Sequence, residues 1–142
     1  MQIVRGIDPT GNGIDETRIE QLVRGFYAKI RVHERLGPIF AERIADDDWE
    51  SHLNRMMDFW SSLMLTTGRY SGRPMPLHLA LKSVRPEDFD IWLKLFEETA
   101  LSMGGESFAA AFMDKARRVA TSFKYAMFFD PAEIAPRPAG SA

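Results

Sequence analysis

Apolar residues recur at helical spacing in four segments of this sequence, whereas no segment alternates apolar and polar residues as a half-buried strand does. This periodicity constrains the fold more than any other feature, because a chain without strand-like segments must build its core from packed helices. Its 142 residues suffice for one domain with a sizeable core. We therefore predict an all-α domain of four substantial helices with short helical pieces between them.

The first helix is predicted to begin after Asp15, a favourable N-cap residue, with Ile14 and Ile19 placed for a hydrophobic staple across it. It should end near His33, because Gly37-Pro38 breaks the chain soon afterwards. One face of this helix is apolar and consists of Ile19, Leu22, Val23, Phe26, Tyr27 and Ile30.

The second substantial helix should follow a short helical turn that ends near Ile44. Asp46, Asp47 and Asp48 provide a cap and negative charge at its start, where the helix dipole favours both. We expect Gly68 to close it. Its apolar stripe includes a histidine and consists of Trp49, His52, Leu53, Met56, Phe59, Trp60 and Leu63.

Two further helices are predicted in the second half of the chain. Pro86 suits the first turn of one, and Gly104-Gly105 should stop it before a last helix that runs from about residue 106 to residue 129. Before Pro86, only residues 77–82 are expected to form a turn or two of helix. The predicted organisation is a flexible arm at 1–13, a folded domain at 14–129 and a disordered Pro- and Ala-rich tail at 130–142.

The composition excludes several classes of function. A formal net charge of −2 provides no electrostatic footprint for nucleic acid or an anionic membrane surface. The absence of cysteine excludes disulfides, thiolate metal sites and cysteine nucleophiles. We see no signal peptide and no apolar run near the roughly 20 residues that span a bilayer. We therefore expect a soluble cytoplasmic protein that binds neither nucleic acid nor membrane.

Two histidines are candidates for a metal centre. His78 lies on a segment too short to be held by its own helical propensity, and His52 lies inside an apolar stripe. Each also has a structural interpretation, His78 as a capping or loop residue and His52 as a hydrogen-bonded core residue. Two imidazoles without a carboxylate would satisfy a bare metal ion poorly, whereas a haem iron needs only one or two. The pair therefore favours a porphyrin.

Tyr27 and Trp92 lie on the apolar faces of different helices and carry polar groups that need partners when buried. Taken separately, each is expected to find its partner elsewhere in the core. If both point into one cavity, they offer two hydrogen-bond donors to a bound diatomic ligand. Arg55, about one turn beyond His52, could reach a haem propionate. His33 lies among charged residues, and we interpret it as solvated and assign it no role.

Several short motifs resemble, in order, those of the group III truncated haemoglobins over about residues 14–129. Any one of these motifs is weak evidence, but the ordered set is highly specific. The motifs are Phe26-Tyr27, Leu36-Gly37-Pro38-Ile39-Phe40, Trp49 with His52, Phe59-Trp60, Gly68-Arg69-Tyr70-Ser71-Gly72, His78-Leu79, and Phe89 with Trp92-Leu93 and Phe96-Glu97.

The resemblance implies a truncated globin fold, a two-over-two helical sandwich that encloses one haem b. By match to the family's motifs His78 is the proximal iron ligand, and we expect Leu77 to contact the cofactor beside it. The role of His52 is left open: it gates access of the ligand, bonds the ligand, or binds the iron as a sixth ligand. The distal positions matched are Tyr27, His52 and Trp92, with Phe40 as the ring-stacking phenylalanine and Met56 as an apolar distal contact.

The function implied is binding of O₂ or another small ligand at a haem, with Tyr27 and Trp92 holding the ligand. Related redox chemistry is NO dioxygenation or peroxide turnover, and whether the protein is an enzyme is left open. The partners expected are small gaseous or peroxide ligands and, for turnover, an unidentified reductase. We expect a monomer. The alternative is a non-catalytic helical haem sensor or interaction module.

Overall fold

The computed structural model describes residues 13–70 and 84–128 of the chain, and within these ranges all regular structure is helical. The predicted all-α class is confirmed. The predicted tail, and the predicted arm apart from Gly13, lie outside the described residues. In chain order the elements are α1 (Glu16–Val32), α2 (Leu36–Ala41), a 3₁₀ turn (Asp46–Asp48), α3 (Trp49–Leu65) and α4 (Pro86–Phe128).

The first helix, α1, begins and ends where the sequence predicts. Asp15 is its N-cap, and a carboxylate oxygen of Asp15 accepts a hydrogen bond from the Arg18 amide at 2.8 Å. Ile14 and Ile19 are both buried on either side of this cap, as a hydrophobic staple requires. His33 is the C-cap. The apolar face of α1 is buried along its length, because α2, α3 and α4 all pack against this helix.

The end of α3 differs from the prediction, since the helix stops at Leu65 rather than at Gly68. Thr66 follows in the left-handed region at φ 54°, an uncommon conformation for a β-branched residue. Its hydroxyl donates a hydrogen bond to the Leu65 carbonyl at 2.7 Å. That bond satisfies one of the carbonyls that a helix end leaves without a helical partner, so the chain turns away before it reaches the glycine.

The long helix α4 is interrupted at Gly105, whose φ of 82° and ψ of −171° are not helical. Glycine almost alone adopts this conformation, so the predicted stop at Gly104-Gly105 appears as a kink between a first and a second arm of α4. Arg18 of α1 spans the kink. Its guanidinium lies 4.8 Å from the centroid of the Phe108 ring and donates a hydrogen bond to the Met103 carbonyl at 3.2 Å.

An aromatic core joins α1, α3 and α4. Phe26 packs edge-on against Phe96 with ring centroids 5.0 Å apart, and Trp60 stacks on Phe96 at 5.0 Å. Aromatic pairs of this kind contribute about 0.5–1.5 kcal/mol beyond the area that they bury.

Helices α2 and α4, in contrast, both pack on α1 but make few close backbone contacts with each other. A space therefore remains between α2 and α4 that side chains must line.

Within residues 13–70 and 84–128, no helix combines the length and the apolar character needed to cross a bilayer. The amphipathic helices instead direct their apolar faces at one another.

Candidate functional site

Four buried rings from three helices meet beside the centre of α1. Tyr27 of α1, Phe40 of α2, and Trp49 and His52 of α3 are each at most 6% exposed. The Tyr27 ring centroid lies 5.0 Å from that of His52, 5.9 Å from that of Trp49 and 6.1 Å from that of Phe40. Trp49 also meets His52 edge-on at 5.5 Å. We call these four residues the Tyr27 cluster.

Burial widens the pH range over which Tyr27 stays protonated. Removing the phenol from water disfavours the phenolate, so burial raises the pKa of Tyr27 above its ordinary value near 10. The hydroxyl therefore keeps its proton throughout the physiological pH range. Tyr27 is therefore a permanent hydrogen-bond donor within this buried group of rings.

An apolar cleft with an enclosed space of about 40 Å³ lies between α2 and α4. It has room for a few water molecules as it stands, whereas small-molecule and cofactor sites measure roughly 300–1,000 Å³, so a larger ligand requires the two walls to move apart. Helix α2 and both arms of α4 supply almost all of its walls. The lining residues are Leu36, Ile39, Phe40, Val84, Asp88, Phe89, Trp92, Ala120, Phe123 and Met127.

Phe40 joins the cleft to the Tyr27 cluster, because it belongs to both. Trp92 lines the cleft and stacks on Phe96, with ring centroids 5.7 Å apart and the rings within 3° of parallel. The Phe26 ring lies between the two predicted donors, 5.0 Å from Tyr27 and 5.4 Å from Trp92. Tyr27 and Trp92 thus flank one shared ring. Of these two donors, Trp92 is among the described residues that line the cleft and Tyr27 is not.

The other predicted contacts on α3 lie at different depths. Met56 is buried in the core, as an apolar distal contact would be. Arg55 is exposed, and its guanidinium donates a hydrogen bond to the Ser51 hydroxyl at 3.4 Å. Neither residue is among the described residues that line the cleft, so a contact between Arg55 and a propionate stays a prediction. His78 and Leu77 lie outside the described residues.

A buried ion pair in the wall of the cleft was not predicted from the sequence. Asp88 is 4% exposed, and its two carboxylate oxygens accept hydrogen bonds from the guanidinium of Arg35, each at 2.8 Å. One of these oxygens also accepts a hydrogen bond from the Arg85 amide at 2.7 Å. The Arg35 guanidinium and then this amide lower the pKa of Asp88, although burial opposes them. Asp88 is therefore ionised inside the fold.

Only half of this arrangement has a signal in the sequence. An acidic residue in the third position of a helix commonly reaches back to the backbone N–H of the N-cap residue, so the bond from Arg85 to Asp88 follows a local pattern. Arg35 lies 53 residues away on another element, and no periodicity connects the two side chains.

The interpretation of His33 as a solvated residue is wrong. His33 is half-buried, and its Nδ1 atom accepts hydrogen bonds from the amides of Arg35 at 3.0 Å and Leu36 at 3.1 Å. The first amides of a helix have no helical partner, so the imidazole caps the start of α2. This role was missed because the capping residues usually considered are Ser, Thr, Asp and Asn.

The residues that the structure brings together fit a flat apolar cofactor such as haem. The cleft wall combines aliphatic side chains with the rings of Phe40, Phe89 and Trp92, which suit a large aromatic surface. The described residues contain no group of three or more His, Cys, Asp or Glu side chains that could hold a metal ion. The aliphatic and aromatic lining itself is what suits a planar group such as a porphyrin.

Comparison with known proteins supports the same interpretation. No family model matches the chain. Over 117 residues the sequence is 34% identical to the group 3 truncated hemoglobin ctb of Campylobacter jejuni, and the match covers 81% of this chain and 92% of that protein. The crystal structure of a group III truncated hemoglobin from Campylobacter jejuni superposes with a TM-score of 0.76 at 34% identity, covering 82% of this chain and 93% of the other.

Proposed function

This chain belongs to the group III truncated haemoglobins, and on that premise we propose that the cleft between α2 and α4 binds haem b beside the Tyr27 cluster. Membership of this family makes the protein a haem globin with the truncated globin fold. The finer proposal concerns which residues hold the haem and a small ligand, and what happens to that ligand.

The proposal rests on one observation, that Phe40 belongs both to the cleft wall and to the Tyr27 cluster. Phe40 is part of the cleft wall and also packs on Tyr27 and Trp49. A flat cofactor stacked on this phenylalanine would therefore have one face directed at the buried rings of the cluster. We propose that His78 would hold the iron, because it matches the proximal position of the family.

Haem would supply an iron that binds small ligands such as O₂, NO, CO or peroxide. The chain would supply the donors around such a ligand. The phenol of Tyr27 is protonated at neutral pH and burial raises its pKa further, while the indole N–H of Trp92 is a donor at every pH. His52, whose ring centroid lies 5.0 Å from that of Tyr27, would regulate access of a ligand to these donors, bond the ligand itself, or bind the iron as a sixth ligand.

Donors at these positions favour retention of the ligand over rapid delivery. A hydrogen bond to a charged acceptor contributes about 1.5–3 kcal/mol, which slows escape of the ligand roughly tenfold to a hundredfold. A retained ligand suits redox chemistry, and we propose NO dioxygenation or peroxide turnover with an unidentified reductase. The same donors would polarise an O–O bond, which supports the peroxide reaction.

The absorption spectrum of the purified protein tests the proposal. We expect a strong Soret band after haem reconstitution, and a shift of that band when CO is added to the dithionite-reduced protein. Replacement of His78 by Ala should weaken haem binding and change the ferrous spectrum. Absence of a Soret band, with His78→Ala behaving as wild type, would contradict the proposal. If haem binds, rapid consumption of NO by the O₂-bound protein would indicate NO dioxygenation, and rapid consumption of peroxide would indicate peroxide turnover.

A further inference from the structure

We infer that the ion pair between Arg35 and Asp88 is a positioning device that sets the placement of Trp92 opposite Phe40 across the cleft. By holding the two walls in register, the pair would also set how long the cofactor is retained. The second statement rests on the proposed function, whereas the first concerns only the side chains of this chain.

The carboxylate of Asp88 is held in one orientation by three hydrogen bonds. Two come from Nε and from one terminal nitrogen of Arg35, and the third comes from the backbone amide of Arg85. The paired bonds to the guanidinium define a plane as well as a distance, because arginine presents its donors as a rigid fork. The pair therefore fixes the first turn of α4 relative to the start of α2.

Each partner of the pair immediately precedes residues of the cleft wall. Arg35 is the N-cap residue of α2, and Leu36, Ile39 and Phe40 follow it into the wall. Asp88 lies in the first turn of α4, and Trp92 lies four residues later on the same face of the helix. A change in the position of the pair is consequently transmitted to both walls within one or two helical turns.

Little else in the described residues ties these two walls directly to each other. Both α2 and α4 pack on α1, and close backbone contacts between α2 and α4 are few. The remaining lining is apolar, and apolar contact is not directional. The fork between Arg35 and Asp88 is thus a directional link between the described walls of the cleft.

The energetics of buried charges agree with a role in geometry. Placing a charged pair inside a protein has a desolvation cost that often cancels its attraction, so an apolar pair of similar volume can be equally stable. Asp88 is 4% exposed and the side chain of Arg35 is 33% exposed. The apolar cleft would be filled as well by Met and Leu, but these side chains would not fix the angle between the walls.

The test compares three variants with the wild type in the full-length chain. Arg35→Met with Asp88→Leu replaces the pair by apolar side chains, Arg35→Lys keeps the charge but removes the fork, and Asp88→Asn keeps the shape but removes the charge. The first readout is the ¹⁹F NMR spectrum of protein labelled with 5-fluorotryptophan, without haem. Trp92→Phe identifies the Trp92 resonance among those of the three tryptophans. The second readout is the rate of haem transfer to an excess of a haem scavenger.

We expect the Trp92 resonance to shift or broaden in all three variants, while the Trp49 and Trp60 resonances stay in place. We also expect haem transfer from the apolar double variant to be on the order of tenfold faster than from wild type, as for other partners that orient a bound metal group. An unchanged Trp92 resonance in the apolar double variant would overturn the positioning role. An unchanged resonance with a faster haem transfer would also overturn it, since the effect would then not pass through Trp92.

A matched control separates positioning from loss of stability. Ser61 is buried far along α3, where its hydroxyl donates to Glu16 at 2.6 Å and lies 2.7 Å from the Thr67 hydroxyl. Ser61→Ala should therefore lower stability without moving the Trp92 resonance or the rate of haem transfer. Failure of the wild type to bind haem would contradict the proposed function, and the NMR readout would still decide the positioning role.

Discussion

Tyr27 shows how the surroundings of one residue set its chemistry. Its ring packs against Phe40, Trp49 and His52, all of them buried. Because the phenolate would be poorly solvated there, the pKa of Tyr27 is raised and the hydroxyl remains a donor. The same residue type on the surface would have no comparable preference for bonding a small polar ligand over water.

Removing either donor should speed release of the ligand. Tyr27→Phe and Trp92→Phe each keep an aromatic ring but delete the polar hydrogen. Loss of about 1.5–3 kcal/mol corresponds to roughly tenfold to a hundredfold faster O₂ dissociation, which stopped-flow absorbance would measure. Phe59→Leu, a half-buried change on α3, is the control and should leave the rate unchanged. Wild-type rates in both donor variants would show that neither residue bonds the ligand.

Asp88 makes stability depend on pH in a predictable direction. Its pKa is lowered in the folded protein, chiefly by the hydrogen bonds from Arg35. Its contribution is therefore complete above the ordinary aspartate pKa of about 4 and is lost as the pH falls through the lower folded value. We expect Asp88→Asn to lose about 1.5–3 kcal/mol of unfolding free energy at neutral pH.

Urea unfolding at several pH values would check this expectation. The difference in unfolding free energy between wild type and Asp88→Asn should shrink as the pH is lowered from about 5 towards 2, because only the wild type loses the charged pair. A difference that stays constant over this range would mean that ionised Asp88 does not stabilise the fold.

The short helix α2 depends on its neighbours. Six residues are too few to form a stable helix alone. The imidazole of His33 caps the start of α2, and the first turn of α2 lies directly against the end of α1. A β-carbon added at Gly37 would lie 2.7 Å from the Arg31 carbonyl oxygen, closer than real β-carbons approach other atoms. The glycine is needed for this close approach of the two helices.

Gly37→Ala should therefore lower the unfolding free energy by about 1–3 kcal/mol, since backbone rather than a flexible side chain must move. The control is Gly25→Ala on α1, where the added β-carbon would lie 3.4 Å from the Thr99 methyl group. Alanine favours a helix interior over glycine by up to about 1 kcal/mol, so this variant should be neutral or slightly more stable. Chemical denaturation of the two variants compares them directly, and equal stability would refute the steric argument.

At the scale of the whole molecule, helices α2, α3 and α4 all pack on α1 within the described residues, and a cleft lies between α2 and α4. A cofactor that binds there contacts elements that otherwise have few contacts with each other. Such a ligand should stabilise the entire domain, because it binds the folded protein and not the unfolded chain.

Haem should accordingly raise the unfolding temperature of the wild-type protein. The gain in free energy is about 4 kcal/mol when the free haem concentration is a thousandfold above the dissociation constant. In His78→Ala we expect the haem-free protein to unfold at the wild-type temperature and the gain on adding haem to be smaller. Differential scanning calorimetry with and without haem measures both quantities. An equal gain in the two proteins would show that His78 does not hold the cofactor.

The sequence by itself determined the helices and where most of them begin and end. The cap at Asp15, the apolar faces and the kink at Gly105 depend on residues within a few positions of one another, so periodicity and capping chemistry reveal them. The ordered motifs also led to the correct family, and with it to His78, Tyr27 and His52 as candidate site residues. The end of α3 was not predicted correctly. Thr66 ends the helix before the expected glycine by adopting a left-handed backbone and bonding the Leu65 carbonyl, and no sequence pattern indicates this.

Only the tertiary structure decided which side chains face each other across the cleft. Arg35 and Asp88 are 53 residues apart, and their fork exists because α1 brings α2 and α4 to the same place. The position of Phe40 in both the cleft wall and the Tyr27 cluster likewise depends on how helices pack. Such contacts follow from the three-dimensional placement of whole elements, which local periodicity does not encode.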